Sequence, residues 1–337
     1  RNIESNKSLE NTDITATDSV VFSFIEEGKI LVKANSNTRA ASILTPSDSE
    51  VDVFSFDLEA KDDTLKLTDL YVTQSGTTTL NLADSVRSAS IKVNGRTIDG
   101  AVISKDTLYF SIGNSNPVVI EKDETVRVDV NLSFNDSSTR KAQESTIKLV
   151  LGAQNSDSVV NDVENGLRLV SESTGMTVKN VVSNVSSRAH LLARTNVVVS
   201  MLNGTQSTQE FKVVADSNRR AGLTSIELEV SGNSLQAISE LELEKDGQVI
   251  ATGALSASGV VTFNLSANPE FVSAGESVTF TIDGLSALDT AKDNKRFMKV
   301  TSIVFNDDVT GSSVTVDDTN NRYNNVGVPS NEASFTY

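Results

Sequence analysis

The side chains of this chain that could do chemistry are mainly carboxylates in turn-like segments. Asp157, Asp162 and Glu164 form one acidic group, and the adjacent Asp307 and Asp308 form another. Calcium takes six to eight oxygen ligands, which carboxylates and loop carbonyls supply. These five residues are therefore candidate calcium ligands, with the first group expected at a junction between repeats. Neither group follows the EF-hand or the glycine-rich nonapeptide pattern, so solvated turn acids explain them better, and we expect no cofactor.

The remaining reactive side chains argue against an enzyme. The chain has no cysteine and one histidine, His190, which excludes thiolate zinc sites, cysteine nucleophiles and disulfides. His190 lies in "SSRAHLLAR", which is typical of the start of a strand, and we expect a structural role for it. There is no tryptophan and there are only four tyrosines, so aromatic sugar platforms are scarce. We predict no catalytic residue and no enzymatic activity.

Charge and length limit the possible domain number, partners and location of the protein. The chain has 337 residues, enough for two or three domains, and a formal charge of −16. Such a charge disfavours binding to nucleic acid or to an anionic membrane surface. No apolar run approaches the roughly 18 residues that a membrane helix needs. The chain starts with Arg1 and shows no signal peptide, which fits a secreted mature protein or a fragment. We expect an extracellular, cell-surface location without membrane insertion.

The elements that must position these side chains come in two copies. Residues 53–151 and 209–305 repeat the same apolar positions and turns, with "FSFDLEA" matching "FKVVA" and "LTDLYV" matching "LTSIEL". Each copy then has a Ser-Gly pair and later an Asn-Pro pair. The segment "SIL" at 42–44 precedes the first copy as "SML" at 200–202 precedes the second. A repeat of this kind indicates an array of similar units.

Strict alternation of apolar and polar residues predicts strands nearly everywhere. Val126–Val130 and Val278–Ile282 alternate in this way, and Asn-Gly or Asp-Gly turns separate such segments. We predict an all-β fold of two tandem immunoglobulin-like antiparallel β-sandwiches with an extended N-terminal strand segment. The predicted boundaries are 1–40 for the N-terminal tail and strand segment, 41–193 for the first sandwich and 194–337 for the second.

Apolar strand residues precede the first copy of the repeat. They are Val20, Val21, Phe22, Phe24 and Ile25, followed after a turn by Ile30, Leu31 and Val32. By comparison with "AHLLA" before the second copy, they look like the last strand of a unit that the chain does not contain. Unpaired strand edges invite pairing with other chains. Three outcomes stay open: the segment folds back on the first sandwich, completes a neighbouring subunit by strand addition, or is left from a longer array.

The repeated pattern carries a family resemblance. An entry strand with "SIL" or "SML", an F-x-apolar-x-A strand, an "LT" strand with Ser-Gly, and an Asn-Pro close resemble the tandem immunoglobulin-like repeats of secreted bacterial and archaeal surface proteins. That group includes surface-layer, fimbrial and adhesin proteins. The resemblance covers residues 40–337 and implies secretion, self-association and load-bearing or coating roles, but no functional residues.

Two functions of different class follow from these observations. The first is a structural subunit of an extracellular filament, pilus-like or fimbria-like, or of a surface layer. It would assemble as a homopolymer through strand addition by the N-terminal segment and through end-to-end domain contacts. The alternative is a monomeric adhesin that binds a cell-surface or glycan ligand through loops at one pole of a sandwich.

Overall fold

A computed structural model describes residues 28–75, 80–136, 146–151, 161–182, 185–202, 204, 208–232, 238–285, 295–307, 311–319 and 323–336. Within these ranges the chain forms 25 strands and a single four-residue helix. The strands build two consecutive antiparallel sandwiches, so the predicted all-β fold of two tandem immunoglobulin-like sandwiches is confirmed.

The first sandwich contains strands β1 to β13 and the helix α1. Their bounds are β1 Lys29–Ala34, β2 Ile43–Leu44, β3 Ser47–Lys61, β4 Leu65–Gln74, α1 Leu82–Ser85, β5 Val86–Val93, β6 Arg96–Val102, β7 Thr107–Ser111, β8 Val118–Ile120, β9 Thr125–Phe134, β10 Thr146–Ile147, β11 Leu149–Leu151, β12 Leu167–Ser171 and β13 Asn180–Val182. One sheet has the order β5-β9-β3-β1-β13. The other is centred on β4, which pairs with β7, β8, β11 and β12, and β6 bridges the two sheets through β5 and β7.

The second sandwich follows a short connecting strand, β14. The bounds are β14 His190–Leu192, β15 Val197–Met201, β16 Gln209–Ala215, β17 Ala221–Ser231, β18 Ile238–Lys245, β19 Gln248–Leu255, β20 Val260–Asn264, β21 Glu270–Val272, β22 Ser277–Asp283, β23 Lys295–Asp307, β24 Ser313–Asp317 and β25 Ala333–Thr336. One sheet has the order β15-β16-β22-β18-β19. The other has the order β20-β17-β23-β24, with β21 on β17 and β25 on β23.

Alternating side chains explain why these segments are strands. Along β16, Phe211, Val213 and Ala215 are buried while the residues between them are half-buried, as expected when successive side chains point to opposite faces. The same alternation along the other strands fills two separate apolar cores, one in each sandwich. In the second core Phe211 and Phe280 stack with ring centroids 5.2 Å apart.

Strand β1 is the first strand of the first sandwich, and β15 holds the same place in the second. Ala34 of β1 lies opposite Phe56 of β3, and Met201 of β15 lies opposite Phe211 of β16. The structure therefore differs from the predicted boundary at residue 41, because it pairs residues 29–34 with β3. The local match of "SIL" to "SML" was misleading, since Ile43 and Leu44 form the short β2, which pairs with β14 and not with β3.

One strand differs between the two copies. In the second sandwich β23 pairs with β17 from Phe297 to Asp307 without a break in the chain. In the first sandwich β11 and β12 together take that place on β4. The described residues 161–166 before β12 therefore have no counterpart in the continuous β23, and Asp162 and Glu164 of the predicted calcium ligands lie among them.

Candidate functional site: the junction between the sandwiches

A small three-stranded sheet ties the two sandwiches together. Strand β14 pairs antiparallel with β10 and parallel with β2, so that Leu191 lies beside Ile43 and Leu192 beside Leu44. Ile43 and Leu191 are buried in the core of the second sandwich, whereas Leu44 and Leu192 are buried in the core of the first. Since neighbouring residues of a strand point to opposite faces, β2 and β14 each contribute to both cores.

Hydrogen bonds from the second sandwich hold β2 in place. The side-chain oxygen of Asn325 accepts from the Ile43 N–H at 2.8 Å, and its nitrogen donates to the Ile43 carbonyl at 2.6 Å. The Thr45 hydroxyl donates to Asp216 at 3.1 Å, and Asn218 donates to the Pro46 carbonyl at 2.7 Å. The bonds to Ile43 and Pro46 satisfy backbone groups that burial would otherwise leave unpaired.

Arg194, in the connection between the sandwiches, is the centre of a partly buried ion cluster. Its guanidinium donates to both carboxylate oxygens of Asp136, at 2.9 and 3.2 Å, and lies 3.8 Å from the carboxylate of Asp307. Arg219 of the second sandwich also pairs with Asp136. The Arg194 and Asp307 side chains are 4% and 5% exposed. The cluster thus links the end of β9, the connection and the second sandwich.

Two arginines hold the Asp136 carboxyl in its ionised form. The hydrogen bond from Arg194, opposed by partial burial and assisted by Arg219, lowers the pKa of Asp136 to about 2. A carboxylate that accepts from guanidinium groups is favoured in its charged form. The cluster therefore stays intact at all pH values above the usual range of an aspartate.

His190 is a structural histidine of the same region. It is fully buried in β14, with Nδ1 3.0 Å from the Ser42 hydroxyl and Nε2 3.3 Å from the Val53 carbonyl oxygen. Burial is the main cause that lowers its pKa to about 4, and the Val53 carbonyl opposes this shift. The imidazole is therefore neutral near pH 7, and its two ring nitrogens link Ser42, which precedes β2, to Val53 of β3.

The candidate calcium ligands do not come together among the residues that the structure describes. Asp157 and Asp308 lie outside the described residues. Asp162 pairs with Lys179 at 2.9 Å, which lowers its pKa, and Lys179 precedes β13 beside the start of β1. This places Asp162 away from the junction, contrary to our expectation. Glu164 forms a backbone bridge with Leu167, and Asp307 faces Arg194.

A different group of carboxylates does converge in the described part of the chain. Glu242, Glu244 and Asp283 lie on adjacent strands β18 and β22, with carboxylate oxygens within 4.8 Å of one another. Asp283 accepts from the Gly284 N–H at 2.6 Å. The alternation of Glu and Leu from Glu240 to Glu244 indicated an acidic face, but the position of Asp283 opposite Glu242 depends on long-range register.

The predicted assembly strand is divided by the structure. Val20, Val21, Phe22, Phe24 and Ile25 lie outside the described residues. Ile30, Leu31 and Val32 lie in β1, which pairs antiparallel with β3 on one edge and parallel with β13 on the other. Ile30 is fully buried. A strand with partners on both edges and a buried face belongs to its own sandwich, so these three residues fold back on the first sandwich.

The junction residues Asp136, Arg194 and Arg219 had not been singled out in the sequence. One signal was present, since Arg194 directly follows the apolar residues Leu191, Leu192 and Ala193. A cation in such a run is buried only with a partner. The identity of that partner could not be read, because Asp136 is far away in the sequence.

Comparisons with known proteins assign the chain to no family. No family model and no curated protein matches the chain. Similar solved structures include the type II cohesin dyad from the adaptor ScaA scaffoldin of Acetivibrio cellulolyticus, with 11% identity, 91% of this chain and 98% of that chain covered, and a TM-score of 0.22. The C-terminal domain of the Streptococcus agalactiae AgI/II polypeptide BspA has 10% identity, coverages of 91% and 100%, and a TM-score of 0.21.

The major pilin subunit BcpA of Bacillus cereus is 9% identical, with 89% of this chain and 68% of that chain covered and a TM-score of 0.21. TM-scores this low do not show a shared arrangement of the two sandwiches. Any function must therefore be argued from the geometry of this chain. No helix in the described ranges is long and apolar enough to cross a membrane.

Proposed function

We propose that this protein is a structural subunit of an extracellular assembly, a filament or a surface layer, in which the two sandwiches act as one stiff unit. The observation that carries the proposal is the shared packing at the junction. Ile43 and Leu191 belong to the core of the second sandwich although they lie in strands that also serve the first. Bending at this point would expose both cores.

The ion cluster supports the same function. A buried charge that loses its partner is strongly unfavourable, and Arg194 lies between carboxylates of both sandwiches. Rotation of one sandwich against the other would separate these groups. The junction therefore resists both bending and twisting, which suits a load-bearing or coating role better than a flexible linker would.

Other features of the described residues favour a structural role over an enzyme. His190 is fully buried, and its ring nitrogens contact the Ser42 hydroxyl and the Val53 carbonyl oxygen. The net charge of −16 suits a soluble surface facing the cell exterior and disfavours nucleic acid as a partner. We include in the proposal that the protein has no catalytic activity and needs no cofactor.

The assembly step that we propose uses fewer residues than the whole segment 20–34. Because β1 is part of the first sandwich, strand addition to a neighbouring copy would use the apolar residues Val20, Val21, Phe22, Phe24 and Ile25 alone. End-to-end contacts between sandwiches of successive copies would supply the rest of the interface. The partner is then a second copy of this chain.

Electron microscopy and sedimentation of matched deletions test this proposal. Deleting residues 1–27 should abolish polymers while leaving both sandwiches folded by circular dichroism. Deleting residues 1–34 should in addition unfold the first sandwich, because it removes β1. Polymers of normal appearance after deletion of residues 1–27 would contradict strand addition. A full-length chain that remains monomeric at high concentration and binds a cell-surface ligand would favour the adhesin alternative.

A further inference from the structure

Six segments of the chain have the form Asn-x-Ser/Thr, here called sequons, and they begin at Asn6, Asn131, Asn135, Asn184, Asn203 and Asn264. This pattern is the acceptor for N-linked oligosaccharides when it lies on the surface of a secreted protein. A chain rich in Asn, Ser and Thr contains such triplets by chance, so the triplet alone does not identify a site. Asn131, Asn135 and Asn264 lie among the described residues, and their surroundings distinguish them.

The side chains of Asn131 and Asn135 are engaged in the first sandwich. Asn131 is 6% exposed and donates to the Asp129 carbonyl at 3.3 Å. Asn135 is half-buried, and its amide nitrogen lies 3.4 Å from the carbonyl oxygens of both Asp84 and Val86. A transferase has no access to an amide nitrogen that is buried or bonded to backbone carbonyls. These two sequons are therefore structural.

Asn264 differs because only its side-chain oxygen is engaged among the described residues. It is exposed at the end of β20, where the alternation of side chains directs it away from the core. The oxygen accepts from the Ser266 N–H at 2.9 Å and from the Ser266 hydroxyl at 2.6 Å. Such turns are typical of asparagine. The hydroxyl residue of the sequon thus orients the amide and leaves its nitrogen available for reaction.

The turn after β20 leaves room for a bulky group. Ser266, Ala267 and Asn268 are all exposed. Asn268 donates its N–H to the Leu265 carbonyl at 3.0 Å, so the backbone of the turn closes on itself. Leu265 is buried and anchors the turn in the second core. A group attached to Asn264 therefore extends into solvent from a fixed turn.

The first sandwich has no acceptor at the matching position. Asn264 lies opposite Ser225, and Ser111 lies opposite Asp69 at the same register of the repeat. The sequence that starts at Ser111 is Ser-Ile-Gly, which is not a sequon. On this face of the first sandwich the Tyr109 hydroxyl donates to Asp69 at 2.7 Å. The matching place therefore holds a structural hydrogen bond in the first copy and an acceptor amide in the second.

We propose that Asn264 is an attachment site for an N-linked oligosaccharide. The donor is an oligosaccharide joined to a lipid diphosphate, and a transferase of the exporting cell catalyses the transfer. The Asn264 amide nitrogen forms a bond to the anomeric carbon of the first sugar and gives up one proton. The bond between that carbon and the diphosphate oxygen breaks, and the lipid diphosphate leaves with the electron pair.

An oligosaccharide at this position affects any assembly of the protein. Because the group is bulky and polar, it keeps the outer face of β17 and β20 near Asn264 away from contacts between copies. The acceptor geometry is the same in a subunit and in a monomeric adhesin, so the site does not depend on the proposed assembly.

Mass spectrometry of the full chain, isolated from the organism that makes it and then digested, tests the site. The peptide that contains Asn264 should carry an oligosaccharide, and an amidase that releases N-linked sugars should convert Asn264 to aspartate. Peptides that contain Asn131 and Asn135 should be unmodified. An unmodified Asn264 in the native protein, or modification of the buried Asn131, would overturn the proposal.

Variants expressed in the same organism distinguish attachment to Asn264 from attachment to the neighbouring serine. Asn264→Gln should remove the oligosaccharide, and Ser266→Ala should remove it although the acceptor amide is still present. Ser266→Thr should retain it, because threonine also supplies the hydroxyl. Asn135→Gln is the matched control and should leave the modification unchanged. A sugar that persists in the Asn264→Gln variant would assign the attachment to Ser266 and contradict the proposal. Thermal unfolding checks that all variants are folded.

Discussion

The two sandwiches share one strand plan but differ at the outer edge of their first strand. In the second sandwich the side chain of Asn331 closes the edge of β15 at Met201. In the first, the described pairing of β13 with β1 runs from Lys29 to Leu31, and a groove of about 640 Å³ lies beside Ala34. Apolar alternation maintains the common fold in both copies. This difference indicates that specific functions in such a repeat lie where the copies diverge, at strand edges and at the junction.

The largest effect is expected at the junction, where the two sandwiches meet. Arg194→Ala removes the buried guanidinium that donates to Asp136 and lies 3.8 Å from Asp307, and loss of one partner from a buried ion pair costs about 3–5 kcal/mol. Arg219→Ala is the matched control, because its pair with the partly exposed Asp136 is worth about 1 kcal/mol or less. Urea unfolding monitored by circular dichroism measures the free energy of unfolding of both variants. Equal effects of the two substitutions would show that Arg194 has no special role.

The equivalence of β1 and β15 predicts the next largest effect. Ile30 and Val197 occupy the same register position and are both fully buried. Ile30→Ala should lower the free energy of unfolding by about 3 kcal/mol. Val197→Ala should cost about 1 kcal/mol less, because one methylene fewer is removed. If Ile30→Ala costs less than about 1 kcal/mol in urea unfolding, β1 is not an integral strand.

Sensitivity to mildly acidic pH should arise from His190 in the junction strand β14. The folded-state pKa of His190 is about 4, below the 6.5 of an unperturbed histidine. The unfolded chain therefore binds more protons between these values, so stability is present above pH 6.5 and is lost as the pH falls towards 4. The loss amounts to roughly 3 kcal/mol across this window.

The substitution His190→Gln is the control for that pH dependence. Glutamine does not titrate, so the slope of unfolding free energy against pH between 6.5 and 4.5 should flatten. Urea unfolding at several pH values checks this. A slope that persists in the glutamine variant would assign the titration to another group.

The smallest effect concerns charge on the outer faces of matching sheets. In the first sandwich Glu59 lies between Lys33 and Lys61, and these cations lower its pKa to about 2. In the second, Glu242, Glu244 and Asp283 lie together. Glu242→Gln should therefore raise stability at low salt by about 0.5 kcal/mol, since like charges across strands repel. Glu59→Gln should lower stability. If Glu242→Gln instead abolishes stabilisation by added calcium, the group is a cation site.

The sequence was sufficient for the fold because alternation is a local property. Phe211, Val213 and Ala215 are recognisable as one face of a strand without knowledge of any partner. The place of β1 was not predicted, since strand pairing depends on contacts between distant residues, and the short match of "SIL" to "SML" suggested another register. Long-range contacts also explain why the sequence did not reveal the partners of two candidate calcium ligands. Asp307 and Asp162 are close to Arg194 and Lys179 only in the folded chain.

The groove and the junction were equally invisible in the sequence. Arg188 and Lys148 are ordinary exposed or half-exposed cations until the structure brings both of them to the groove beside Ala34. Asp136 becomes a partner of Arg194 only because β9 ends beside the connection to the second sandwich. In both places, the second copy of the repeat supplies the reference that shows what has changed.

The central claim, that the two sandwiches move as one unit, is tested most directly by the distance between them. The chain has no cysteine, so Lys92→Cys and Gln248→Cys place one spin label on an exposed site of each sandwich. Double electron–electron resonance should then give a single narrow distance distribution, which broadens when Arg194→Ala is added. A broad distribution with Arg194 in place would contradict the account.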